Sequence, residues 1–138
     1  MRVVRVAAVQ DSPVLLDRAD TLELVDELVN RAAGQGAQLV ALPGAFVPGP
    51  PVWIDAVAVG ESGGWYARLM RESISVPGAA CDLLAAAARR ARVVPVVGVN
   101  KREPHGGTIY HTVLTFGADD SLVGRHRKLV PTHAERLV

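Results

Sequence analysis

Apolar positions along the first forty residues switch between two spacings. Residues 3–9 form a β-branched run that ends at polar turn residues, which predicts a buried strand. Over residues 17–36 the apolar positions recur at helical spacing, and Asp20 and Glu23 offer a capping-box pair at its start. A short apolar run at 38–42 completes a strand, helix, strand unit, the unit that builds parallel sheets.

The remainder of the chain continues the same alternation after a proline-rich loop. That loop, residues 43–60, has four prolines and three glycines, too many for regular structure, although it also carries apolar side chains. The later pattern predicts helices over 62–73 and 79–91, strands over 93–99, 108–116 and 122–126, and a hairpin turn at 117–121. We therefore expect residues 1–138 to form one domain of the α/β class.

Composition narrows the classes of function. The chain is 49% hydrophobic and 21% charged, which excludes intrinsic disorder, and its net charge of +1 gives no global attraction for nucleic acid or anionic membranes. The single cysteine, Cys81, cannot close an intrachain disulfide, and the sequence contains neither a signal-like run nor a membrane-length apolar stretch. These features predict a soluble, cytoplasmic protein.

Few residues offer chemistry by their pattern alone. Lys128 ends a basic cluster just after a predicted strand, where it is either a solvated strand end or a cation that stabilises developing negative charge in acyl transfer. Cys81 begins a predicted helix, and a packing role is favoured over a nucleophilic one because no histidine is near it in sequence. No two of the four histidines have the i, i+4 spacing of a helical metal site, and no phosphate-binding glycine loop is present, so no metal or cofactor is expected.

Four segments, taken together and in order, resemble the N-terminal half of the nitrilase branch of the carbon-nitrogen hydrolase superfamily. Any one of them alone would be weak evidence, but together they span nearly the whole chain. The segments are RVAAVQDSPVLLDR at 5–18, GAQLVALPGAFVPGPPVW at 36–53, VVGVNKRE with GGTIYHTVLTF at 96–116, and GRHRKLVPTHAERLV at 124–138.

This resemblance implies half of an α-β-β-α sandwich and a mechanism that uses no cofactor. In the family a cysteine thiolate attacks a nitrile or amide carbon, a glutamate acts as general base, and a lysine stabilises the charge that develops. Lys128 matches the family lysine, and Glu135, seven residues later, matches a supporting glutamate that positions it. The implied substrate is a small nitrile or amide, with nitrile favoured.

The resemblance also implies that part of the machinery is missing. The family segment that usually reads LPEAF reads LPGAF here, so Gly44 occupies the position of the general base. The family nucleophile lies some tens of residues beyond the lysine, and the sequence ends at Val138, which predicts a truncated and inactive domain. We expect the loop residues Phe46 and Trp53, beside the vacated base position, to line a pocket for an aromatic or aliphatic nitrile.

Four interpretations remain open at this point. The chain is a fragment or decayed copy of a hydrolase, or it is a non-catalytic partner that associates with an intact hydrolase or scaffolds another protein. A third interpretation is that another chain supplies the thiol and a carboxylate in trans, and a fourth is an unrelated small α/β binding protein. Because half a sandwich leaves apolar surface bare, we also expect a homo-oligomer or a complementing chain.

Overall fold

The computed structural model describes residues 3–132 and 135, except for the side chain of Val59. It contains three α-helices and five β-strands, with short 3-10 turns in the proline-rich loop. The helices are α1 (Arg18–Gly34), α2 (Gly63–Glu72) and α3 (Ala79–Ala91). The strands are β1 (Val6–Ala8), β2 (Leu39–Ala41), β3 (Val94–Arg102), β4 (Ile109–Phe116) and β5 (Leu122–Arg127). The predicted α/β fold class is confirmed, and each predicted helix and strand is present, but the first strand is short and largely exposed and not buried as predicted.

The strands form one mixed sheet in the order β1-β2-β3-β4-β5. β2 pairs in parallel with both β1 and β3, since helices cross over between these strands. β4 pairs antiparallel with both β3 and β5. Asn100 pairs with His111 across β3 and β4, and Thr112 pairs with Arg127 across β4 and β5. This register places the polar ends of β3, β4 and β5 side by side.

The first helix begins at a different cap from the one the sequence pattern suggests. Asp17 is the N-cap residue, and its carboxylate accepts a hydrogen bond of 3.1 Å from the backbone N–H of Asp20. Asp20 already lies inside the first turn, so the predicted pairing of Asp20 with Glu23 is wrong by three residues. The helix ends at Gly34, and Gly36 follows with a φ of +85°, which favours glycine.

One face of the sheet carries the hydrophobic core. α1 and α3 pack there with their apolar stripes, because each helix repeats its apolar residues every three or four positions. We call this side the helix-covered face. Its largest fully buried strand residues are Val40, Val97, Val99, Leu114 and Phe116.

Alternate strand residues point to the opposite side, which we call the open face. Val6 on β1 is 57% exposed there, and Val96 and Val113 are only partly buried. The 43–49 segment covers a small part of this face, where Gly98 lies against the backbone of residues 43–45. Within the described part of the chain, no helix combines the length and apolar character needed to cross a bilayer.

Candidate active site

The side chain of Lys128 is held at the end of β5 by both backbone and side-chain contacts. Its backbone N–H donates to the carbonyl of His111 (2.8 Å), which extends the ladder between β4 and β5 by one step. Its Nζ donates to both carboxylate oxygens of Glu135, at 3.1 and 2.8 Å, and to Oγ1 of Thr132 at 2.6 Å. The structure therefore brings together Lys128 and Glu135, the two residues that the resemblance pairs.

Glu135 is fixed by its own short turn as well as by Lys128. Its Oε2 accepts a hydrogen bond from the backbone N–H of Thr132 (2.5 Å), and its N–H donates to the Thr132 carbonyl (2.9 Å). The first of these contacts is one half of a capping box; the other half is absent, because the N–H of Glu135 bonds to the backbone carbonyl of Thr132 and not to its hydroxyl. Burial raises the pKa of Glu135, but the hydrogen bonds from Lys128 and Thr132 outweigh that effect and hold the pKa below its usual value. Glu135 is therefore a carboxylate at neutral pH.

His111 is a third polar group beside the pair. It lies on β4, and its Nδ1 is 3.5 Å from Oε1 of Glu135. Burial lowers the pKa of His111, the charge of Glu135 opposes this, and the charge of Lys128 lowers it further. The net direction is downward, so the imidazole is neutral at pH 7 and does not compete with Lys128 for the carboxylate charge. The sequence analysis did not single out His111 for this site.

Lys128, Glu135 and His111 border a cavity of about 350 Å³ on the open face. Asn100, which is fully buried, also lines it; Nδ2 of Asn100 donates to the carbonyl of Gly49 (2.8 Å), and Oδ1 has no hydrogen-bond partner among the described residues. A buried amide oxygen without a partner is uncommon, and this one is shielded from solvent. The remaining walls are mostly apolar and include Pro51, Leu69, Ile109, Leu129 and Pro131.

Asn100 was also missed in the sequence analysis. The signal was available, because one amide interrupts the apolar run of β3 after Val99. A buried polar residue in such a run needs either a structural partner or a ligand. Its Nδ2 has a structural partner, the Gly49 carbonyl, whereas its buried Oδ1 has no partner among the described residues.

Gly44 follows β2 in a tight turn in which Ala45 has a φ of +52°. A Cβ atom built on Gly44 would meet no atom within 4 Å, so this position could accept a larger side chain without a collision. The backbone of Gly44 lies against Gly98, and Gly98 shares the open face with Asn100, two residues later on β3. The position that the resemblance assigns to the general base therefore lies on the same face as Lys128, but with no carboxylate.

The two loop aromatics occupy packing positions. Phe46 is 1% exposed in the main core, and Trp53 is 4% exposed in a second cluster with Leu16 and Leu69. The Trp53 ring stacks on Trp65, with ring centroids 6.0 Å apart. Neither Phe46 nor Trp53 borders the cavity beside Lys128, although Leu69, which packs with Trp53, does. Their role in lining a substrate pocket stays a prediction.

Cys81 lies on the other side of the sheet from this cavity. It is 7% exposed, at the start of α3, among the core residues of the helix-covered face. Burial, with a smaller contribution from the charge of Asp82, raises the pKa of the Cys81 thiol. A protonated, buried thiol is a packing group, not a nucleophile.

The described residues also contain no group of three or more His, Cys, Asp or Glu side chains placed to hold a metal, and His133 lies outside them.

The structure is thus a mixed α/β sheet with a lysine and carboxylate pair beside a cavity at the ends of its strands. Sequence comparison makes the assignment specific. The family model for carbon-nitrogen hydrolases matches residues 5–138, and the chain belongs to that family. The predicted family resemblance is thereby confirmed.

Individual relatives agree with this assignment. A protein named Nitrilase 3, from an unknown prokaryotic organism, is 42% identical over the whole chain, which spans 42% of its length. The aliphatic nitrilase of Rhodococcus rhodochrous is 39% identical over 97% of the chain, which spans 36% of that protein. The crystal structure of an amidase from Nesterenkonia sp. has the same fold, with a TM-score of 0.66 at 22% identity; the match covers 97% of this chain and 46% of the amidase. The chain thus spans about two fifths of the length of the nitrilases it matches.

Proposed function

We propose that these 138 residues supply the lysine side of a nitrile-hydrolysing site and do not turn over nitrile by themselves. The observation that carries the first part is the contact between Lys128 and Glu135 beside the cavity. The nitrilase names of the relatives favour a nitrile over an amide as the substrate class. The apolar walls of the cavity favour an aliphatic or aromatic nitrile over a charged one.

In this site Lys128 would stabilise negative charge as it develops on the substrate. An ammonium group already held by Glu135 and Thr132 does not have to reorganise when that charge appears, which is the main source of electrostatic catalysis. Glu135 is a positioning residue here, because its carboxylate faces Lys128 and the Thr132 N–H. Asn100 also borders this cavity, with its Nδ2 held by the Gly49 carbonyl.

Two groups that the chemistry requires are lacking among these residues. Position 44 is glycine and cannot accept a proton, and the sole cysteine of the sequence, Cys81, is buried across the sheet. Loss of a general base costs typically about 10² to 10⁴ in rate, and loss of a covalent nucleophile can cost on the order of 10⁶. Together these losses would leave no measurable turnover.

The first experiment is an ammonia-release assay on the purified chain with an aromatic and an aliphatic nitrile. We expect a signal equal to that of the matched Lys128→Met variant. Ammonia release by the unchanged chain that disappears in Lys128→Met would contradict the proposed inactivity and point to a thiol from another source.

A second experiment tests the proposed role of Lys128 in a context that has a nucleophile. The 138 residues are joined to the nucleophile-bearing remainder of a nitrilase relative, with Gly44→Glu introduced. We expect activity about 10² to 10⁴ times that of the same fusion with Gly44. Lys128→Met in the Gly44→Glu fusion should abolish turnover, whereas Arg31→Gln, an exposed change remote from the cavity, should leave it unchanged. Full activity without Lys128 would refute the assigned role.

A second candidate function is a non-catalytic partner that binds an intact hydrolase or another copy of this chain. The observation that favours it is a group of exposed apolar side chains at one edge of the sheet: Val6 on β1 is 57% exposed, and Val3 and Val4, just before that strand, are 78% and 55% exposed. Exposed apolar side chains that lie close together are characteristic of surfaces that associate. Size-exclusion chromatography with light scattering tests it: a defined oligomer that Val6→Glu dissociates supports association, and a stable monomer excludes self-association.

A further inference from the structure

A second polar cavity lies on the other side of the sheet from Lys128. It has a volume of about 210 Å³ and is lined by Lys101 on β3, Thr112 on β4, and Arg125 and Arg127 on β5. We call it the basic cleft. Because side chains alternate along each strand, these four residues share the helix-covered face, whereas Asn100, His111 and the cavity beside Lys128 belong to the open face.

Lys101 is the buried member of the basic cleft. Its side chain is only 7% exposed, yet its ammonium group has one acceptor among the described residues, Oε1 of Glu103 at 2.9 Å. An ammonium carries three N–H donors, and a charged group that is withdrawn from water needs its donors satisfied. Lys101 therefore has donor capacity that Glu103 does not use, at a cleft whose other charged walls are also donors.

The cleft also has an excess of positive charge. Glu103 is the carboxylate that neutralises it, and the same oxygen that contacts Lys101 also accepts from Arg127. The hydrogen bond from Lys101, together with the charges of Lys101, Arg127 and Arg125, outweighs a slight opposing effect of burial and lowers the pKa of Glu103. Three cations against one ionised carboxylate leave two positive charges.

We propose that the basic cleft binds a small dianionic oxyanion, namely inorganic phosphate or the phosphate group of a phosphomonoester. A dianion matches the two uncompensated charges, whereas a carboxylate would neutralise only one. Guanidinium groups present paired N–H donors that fit phosphate oxygens, and Lys101 adds a point charge at the base of the cleft.

The other groups of the cleft are compatible with this ligand. Arg127 lies over the Tyr110 ring, 3.7 Å from its centroid, which fixes the direction of its guanidinium group. The hydroxyl of Thr112 now donates to the Tyr110 carbonyl (3.2 Å) and can rotate toward an anion in the cleft. The proposed site is separate from the nitrile site, so either assignment can fail without the other.

The test is a calorimetric titration of the full chain with inorganic phosphate and with glycerol phosphate, at an ionic strength held constant with chloride. We expect saturable binding that Arg125→Gln and Lys101→Met each weaken by at least about ten-fold, in line with one lost charge-assisted contact. The matched control is Arg31→Gln, which removes the same charge from an exposed position on α1 and should leave binding unchanged. Arg125 is exposed, so its variant remains informative even if Lys101→Met does not fold.

The two probes distinguish the sources of the oxyanion. Equal affinities support a site for free phosphate, and tighter binding of glycerol phosphate supports a phosphorylated metabolite. The proposal is overturned if neither probe binds saturably in excess of chloride, or if Arg125→Gln and Arg31→Gln lower the affinity equally.

Discussion

The two faces of the sheet are built from the same strands but differ in what their side chains contact. On the helix-covered face, Val97 and Val99 are fully buried beneath α1 and α3. On the open face, the residues between and after them are Gly98 and Asn100, which lie against a loop and a cavity. Neighbours on one strand thus belong either to a packed core or to a polar site, because the side chain changes face at each residue.

The difference between the two faces predicts which substitutions will affect stability and which will not. The buried apolar side chains of the helix-covered face are fixed by close packing, so a change of one or two methyl groups affects stability. The open face carries the paired charges of Lys128 and Glu135, whose contacts are partly exposed and individually weak. Changes there should alter ligand binding and chemistry more than folding.

We expect the largest effect on the free energy of unfolding from a change at Gly98, a residue of the open face that is nevertheless tightly packed. A Cβ atom on Gly98 would lie 2.2 Å from the Pro43 carbonyl oxygen and 2.6 Å from the Cα of Gly44, and both are backbone atoms that cannot rotate away. We expect Gly98→Ala to lower the free energy of unfolding by about 3 kcal/mol, at the upper end of overpacking costs. Urea denaturation of the chain measures this change.

The matched control for Gly98 is the glycine it touches. A Cβ on Gly44 meets nothing within 4 Å, so Gly44→Ala should change stability by no more than about 0.5 kcal/mol. Similar losses for the two variants would show that the turn at 43–45 does not rest on β3 as described.

We expect a smaller difference in the free energy of unfolding between alanine variants of two adjacent valines of β3. Val97→Ala removes two methyl groups from a fully buried position and should cost about 2 kcal/mol, because the core cannot close the space completely. Val96→Ala makes the same change on the open face, where the side chain is only partly buried, and should cost less than half as much. Urea denaturation of both variants compares them directly. Equal losses would mean that the open face is covered in solution, by self-association or by a partner.

Most of the fold could be predicted from the sequence because its signals are local. The apolar spacing of α1 and α3 and the β-branched run of β3 each reflect the burial of a single element. The N-cap was misplaced because Asp17 and Asp20 are both suitable capping residues, and only backbone conformation distinguishes them. The extension of β3 to Arg102 was missed since its polar end pairs with β4, a contact distant in sequence.

The site was predictable only where a motif carried it. Lys128 and Glu135 could be paired because their spacing matches the family segment, and the structure places them in contact. His111 and Asn100 join them through strand pairing, which no single segment encodes. Phe46, a loop residue next to a candidate site position, packs into the core, and its role in lining a substrate pocket stays a prediction.

The smallest effect concerns the pH dependence of the open face. Burial lowers the pKa of His111, and this exceeds the opposing effect of Glu135, so the unfolded chain binds a proton at His111 more readily than the folded chain. Stability should therefore fall as the pH drops through about 6.5, the ordinary histidine value, and the loss should be complete below the folded pKa.

Between pH 7.5 and 5.5 carboxylates remain ionised, so this range isolates the contribution of the histidines to the pH dependence. In His111→Asn the slope of unfolding free energy against pH should be shallower over this range than in the unchanged chain. An unchanged slope in His111→Asn would mean that the imidazole is hydrated in solution, and that the open face is wetter around Glu135 than its contacts with Lys128 and Thr132 imply.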